Sequence, residues 1–99
     1  MPFFTVSLHL PTSFSEEFLA TIPEHRLFIN QLLAEHVIET YAISASRGRG
    51  WVTVKAESEE AVRDIVAQFP LYPYLHIATI DELFIFDSAA SRFPHISLN

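Results

Sequence analysis

Cysteine is absent from the 99 residues, which removes disulfides, thiolate metal sites and thiol catalysis together and fits a reducing compartment. Basic residues are scarce. Lys55 and five scattered arginines face twelve acidic residues, for a net charge of −6. A reader of the phosphate backbone needs clustered Lys and Arg to release counterions, so nucleic acid is not an expected partner. No apolar run approaches the roughly 18–20 residues of a membrane span. The start, Met1-Pro2-Phe3-Phe4-Thr5, lacks a basic leader followed by an apolar stretch. No membrane partner is therefore expected, and the expected location is the cytoplasm. The histidines at 9, 25, 36, 76 and 95 show no spacing with carboxylates that would build a zinc or iron site, so no metal is expected.

Apolar residues, by contrast, are abundant. They make up 49% of the chain and include nine phenylalanines. A single domain of this length buries roughly 60–65% of its unfolded surface. So heavy an apolar load points to further burial against a second copy, and a homodimer or larger homo-oligomer is expected.

From Phe3 to Leu10, Phe4, Val6, Leu8 and Leu10 alternate with Phe3, Thr5, Ser7 and His9, the period of a strand with one apolar face. Ser13 or Ser15 can cap a helix whose stripe runs Phe18, Ile22, Ile29, Leu32, Leu33 and Val37. Pro23 interrupts that stripe, and Thr21 with Glu24 repeats a capping-box spacing, so two helices are expected, about 14–21 and 22–36. Segments 38–47 and 49–57 read as strands of a hairpin around Arg47-Gly48-Arg49-Gly50, which holds the only two glycines and is where positive φ is expected. Ser58 caps a short helix with Val62, Ile65, Val66 and Phe69 on its buried side. Two prolines make 69–74 an extended loop. A last strand over 75–86 follows, with a bulge expected near Asp81-Glu82 because Ile77 and Ile80 differ in parity.

The order strand, helix, strand, strand, helix, strand is the split βαβ pattern of the ferredoxin-like α+β fold, with both helices on one face of an antiparallel sheet. Residues 1–87 are expected to form this domain. Residues 88–99 form a tail whose Phe93, Pro94 and Ile96 either pack on a neighbouring subunit or hang free.

Leu10-Pro11 closing the first strand, Glu57-Ser58 opening the second helix, and above all Phe69-Pro70-Leu71-Tyr72-Pro73-Tyr74 before Ile77-Ala78-Thr79-Ile80 resemble the muconolactone isomerase family over residues 3–86. The resemblance implies a protomer whose open sheet face packs on a second protomer as a dimeric α+β barrel, which assembles further in the isomerase itself. It also implies a proton-transfer isomerisation that shifts a C=C bond in a small unsaturated lactone bearing a carboxylate, with no metal or organic cofactor. The chain departs from the family in three places. Ile22-Pro23-Glu24-His25-Arg26 stands where the family has a Lys- and Glu-rich run, Ile43-Ser44 stands where it has Trp-Arg, and Pro94-His95 reverses its His-Pro.

Several residues could carry chemistry. His9 and His76 fall on neighbouring strands and could serve as base and acid near neutral pH, with Glu82 a further ionisable group; ordinary surface or interface histidines would look the same. Arg26 could hold a carboxylate while Glu24 or His25 carries the proton, and a solvated helix face is the competing account. Tyr41, Trp51, Tyr72 and Tyr74 could line a pocket for a small flat ligand, or simply pack. Arg47 and Arg49 on the hairpin could hold an anion, or serve only as surface charge. Three functions follow: an isomerase, a non-catalytic small-ligand module, and an assembly module.

Overall fold

The computed structural model describes residues 1–89. The expectations for Phe93, Pro94, Ile96 and the rest of the tail beyond residue 89 lie outside the described residues. The chain runs β1 (Phe3–His9), α1 (Glu16–Ala34), β2 (Ile38–Ile43), β3 (Arg49–Lys55), α2 (Glu59–Val66), a short 3-10 turn (Tyr72–Tyr74) and β4 (His76–Glu82). The four strands form one antiparallel sheet in the order β2-β3-β1-β4. This is the expected ferredoxin-like βαββαβ arrangement. No helix among the described residues is long and apolar enough to cross a membrane.

The core lies between the sheet and the helices. Alternation sends Phe4, Val6 and Leu8 of β1 to the helical side, where β3 supplies Val52 and Val54. They meet Ile29 and Leu32 of α1, Val62 and Val66 of α2, and Phe69. The opposite face carries Phe3, Thr5, Ser7 and His9 beside Lys55, Thr53, Trp51 and Arg49. Thr40 Oγ1 donates to Thr53 Oγ1 across that face at 2.8 Å.

Four details differ from the sequence expectation. The segment around Pro23 is one helix rather than two, capped by Ser15, whose hydroxyl accepts from the Phe18 N–H. Pro23 lies on the exposed side, so the Leu19 carbonyl that loses its donor can turn to water. In the hairpin neither glycine has positive φ. Arg47 does, at 67°, while Gly50 serves close approach, since a Cβ there would meet Ile43 Cδ1 at 2.8 Å and the Ala42 carbonyl oxygen at 3.2 Å. The Phe69–Tyr74 segment is coiled rather than extended. The Tyr72 N–H donates to the Phe69 carbonyl at 2.8 Å and the Tyr74 N–H to the Leu71 carbonyl at 2.9 Å, leaving Pro73 where no N–H is required. The bulge in β4 falls at Ala78, not at Asp81-Glu82. Leu8 faces Ile77 while Ser7 faces Thr79, so one extra residue lets Ile77 and Ile80 both pack against the core.

Helix α1 ends in a further left-handed residue, His36, with φ 58°. The Val37 N–H reaches the Leu32 carbonyl and the His36 N–H the Leu33 carbonyl, the paired bonds of a Schellman cap.

Candidate functional site

Helical spacing puts Phe18, Ile22, His25 and Ile29 on one stripe of α1, because steps of three and four residues return to the same face. His25 is accordingly buried, at 2% exposure. Its ring bridges three parts of the chain. The Leu71 backbone N–H, arriving from the loop after α2, donates to Nδ1 at 3.3 Å, and Nε2 lies 2.8 Å from the Tyr41 hydroxyl on β2. Phe69 packs edge-on against the same ring, with centroids 5.7 Å apart. Burial, and then the neighbouring Arg26 guanidinium, lower the His25 pKa from 6.5 to about 4, so the ring is neutral at pH 7. Burial raises the Tyr41 pKa above its usual 10, with Arg26 acting the other way. The phenol therefore also stays neutral.

His25 and Tyr41 line a cavity of about 300 Å³, at the small end of the range for ligand pockets. Its walls are mostly apolar, with Phe14, Phe18, Ile22, Ile43 and Leu71 among them. Phe14 stacks on Phe18 at 4.2 Å, and Gly50 lets Ile43 settle against β3. The remaining polar side chains are Arg26 and Arg47. Neither arginine forms an ion pair with a described residue, and no carboxylate is among the wall residues. A chain of net charge −6 thus presents a locally positive cavity, which would draw an anion. Arg47 also borders an adjoining, more polar depression that includes Thr12, Ser13 and Ser46. Its left-handed backbone is of a kind that clusters at ligand sites.

The sequence candidates separate into groups. Arg26 and Tyr41 come together in this cavity. Glu24, one residue from His25, points to solvent. His9 pairs with His76, ring centroids 6.3 Å apart, but both are exposed and neither lines the cavity. Trp51 lies on the sheet face away from the helices, under the Arg49 guanidinium at 5.4 Å. Tyr72 is exposed in the 3-10 turn. Tyr74 meets Phe18 edge-on at 5.4 Å, behind the wall. Glu82 is exposed at the end of β4. Among the described residues, no cluster of three or more His, Cys, Asp or Glu could hold a metal. Leu71 was not legible as a site residue. His25 was named only as an alternative to Glu24 for a proton carrier on a charged helix face, whereas it is buried at the gap in the apolar stripe between Ile22 and Ile29, a position the helical spacing alone could have signalled.

No family model matches the chain, and comparison with curated proteins also finds no match. Strand order and helix placement define the class, a ferredoxin-like α+β protein. Within that class the fold is that of muconolactone isomerase. The crystal structure of that enzyme matches with a TM-score of 0.68 over 88% of this chain and 93% of that one, at 22% identity. Identity at that level carries the fold and leaves the activity to be argued from the site.

Proposed function

We propose that the chain is a small-ligand protein whose cavity takes an unsaturated lactone or related carboxylic acid. The ligand's carbonyl would meet Tyr41 and its carboxylate Arg26 or Arg47. The observation that carries this reading is the mostly apolar cavity with no carboxylate in its wall, whose polar side chains are two arginines without an ion pair among the described residues, the Tyr41 phenol and the neutral His25 ring. Apolar walls take the ligand body, and the few convergent polar groups set its orientation. Arg supplies a planar fork suited to a carboxylate. A panel of small unsaturated lactones and aromatic acids, followed by thermal unfolding, tests it. An acid at about 100 times its Kd adds about 2.7 kcal/mol, which for a domain of this size raises the midpoint by about 10–20 °C. R26Q and R47Q should blunt the response to acids and spare the response to neutral lactones. No shift across the panel would sink the proposal.

Isomerisation by proton transfer is the second reading, favoured by the shared fold and by the phenol, which could stabilise an enolate. Against it stand the missing carboxylate and the weak basicity of His25. Exchange of ligand α-protons for deuterium separates the two, because a binding module leaves that rate at its solution value. The open sheet face, with Trp51 at 38% exposure, and the exposed Phe84 and Ile85 beyond β4 support self-association. Light scattering at the mass of one protomer would exclude it.

A further inference from the structure

We infer that the Leu71 backbone N–H locks His25 into the tautomer protonated on Nε2, and that this ring in turn makes the Tyr41 hydroxyl a one-way donor into the cavity, so that the ligand presents a bare oxygen, a carbonyl or an enolate, at that point. The inference rests on the small-ligand reading of the cavity and assigns the chemistry of one end of the ligand.

A neutral imidazole carries one N–H and one bare nitrogen. An amide N–H can only donate, so the nitrogen it meets must be bare. The Leu71 N–H meets Nδ1 at 3.3 Å, which leaves the ring proton on Nε2. Nε2 then donates to Tyr41 Oη over the 2.8 Å separation. The phenol proton cannot point back at a nitrogen that already carries one, and among the described residues no other protein group accepts from Tyr41 Oη. What remains for that proton is the cavity that Tyr41 lines. The alternative tautomer would set the Nδ1–H against the Leu71 N–H, two donors face to face in a site of 2% exposure, and leave a buried amide unpaired. The lowered basicity of His25 agrees with a ring that stays neutral over the range where the lock operates. His25 is then a positioning residue and not the proton carrier. It accepts from one backbone group and aims one hydroxyl.

The lock has no counterpart in local sequence, since Leu71 and Tyr41 lie 46 and 16 residues from His25. It requires the loop after α2, the middle of α1 and the β2 strand in one place. The hydroxyl is set before a ligand arrives, so no reorientation is required on binding.

Two measurements on the full chain test this. The first is a long-range proton–nitrogen correlation spectrum of the histidine rings at pH 7, with His25 assigned by the loss of its signals in H25F. A bare Nδ1 and a protonated Nε2 are expected; the reverse pattern overturns the lock. Through-space contacts of the His25 ring with the Tyr41 and Phe69 rings, 5.8 and 5.7 Å away between centroids, assign the same signals in the wild type, so this result survives even if H25F folds poorly. The second uses 4-nitrophenol, whose absorbance reports its ionisation, and nitrobenzene, which has the same ring and nitro group without the phenolic oxygen. A donor at Tyr41 favours the bound phenolate, shifting its ionisation constant by roughly tenfold relative to Y41F. H25F removes the Nε2–H that fixes the direction of the hydroxyl, so it should weaken binding of the phenolate by more than it weakens binding of nitrobenzene. An equal loss for both probes would make His25 a packing residue only and overturn its positioning role. If neither probe binds the wild type, the small-ligand reading fails together with the ligand half of this inference. The tautomer is still decided by the spectrum.

Discussion

Lowering the pH from 7.5 to 5 should destabilise the fold through His25. In the unfolded chain this side chain takes up a proton as the pH falls through 6.5; in the folded chain it does so only at about 4. Between those values the unfolded state binds more protons, so stability rises with pH across the window. The contribution is fully present above about pH 6.5 and is lost progressively as the pH drops toward 4. Each tenfold change is about 1.4 kcal/mol, so the whole window is worth about 3 kcal/mol and the part above pH 5 about 2 kcal/mol. That is a large share of the 5–15 kcal/mol typical of a domain. The physical causes are burial, the nearby Arg26 charge, and the clash a protonated Nδ1 would make with the Leu71 N–H that now donates to it. Urea unfolding at fixed protein concentration measures the effect, with a midpoint about 1 M lower at pH 5 for an m-value near 2 kcal/mol/M. H25F should be weaker at pH 7, because it leaves the Leu71 N–H unpaired at a cost of about 1–3 kcal/mol, yet its midpoint should respond less to pH over the same range. Identical pH responses in wild type and H25F would refute the reasoning, since the titration would then reside elsewhere.

Two further substitutions probe the hairpin beside the cavity. G50A would place a Cβ 2.8 Å from Ile43 Cδ1 and 3.2 Å from the Ala42 carbonyl oxygen. It should cost about 1–3 kcal/mol in urea unfolding and loosen the Ile43 wall; stability unchanged within about 0.5 kcal/mol would show that β2 yields freely. R47G relieves the left-handed backbone at φ 67° and should raise stability by roughly 0.5–1 kcal/mol, while weakening the response to acidic ligands. A variant neither more stable nor weaker in binding would remove Arg47 from the site and its backbone from the strained class.

Much of the architecture was legible from residue pattern because it depends on local physics. The alternation of Phe4, Val6 and Leu8 could only be a strand with one buried face, and Ser58 accepting from the Ala61 N–H is the cap its position announced. Arg26 and Tyr41 were legible as candidates from their chemistry alone. The misread details depend on tertiary context. Pro23 ends a helix in isolation, but with its lost bond turned to solvent and apolar residues buried on both sides of it, continuing the helix is the lower-energy course. The bulge at Ala78 follows from Leu8 and Val6 on the neighbouring strand both requiring an apolar partner.

The chain by itself determined the order of elements, the acid-rich balance that disfavours nucleic acid, and the apolar faces that must be buried, because each follows from composition or a period of two or 3.6 residues. Only the tertiary structure decided where the chemistry sits. His25 acquires its neutral state from burial and the Arg26 charge, its expected tautomer from a loop 46 residues away and its partner Tyr41 from β2, and no local pattern records contacts that exist only once the helix, strand and loop have packed.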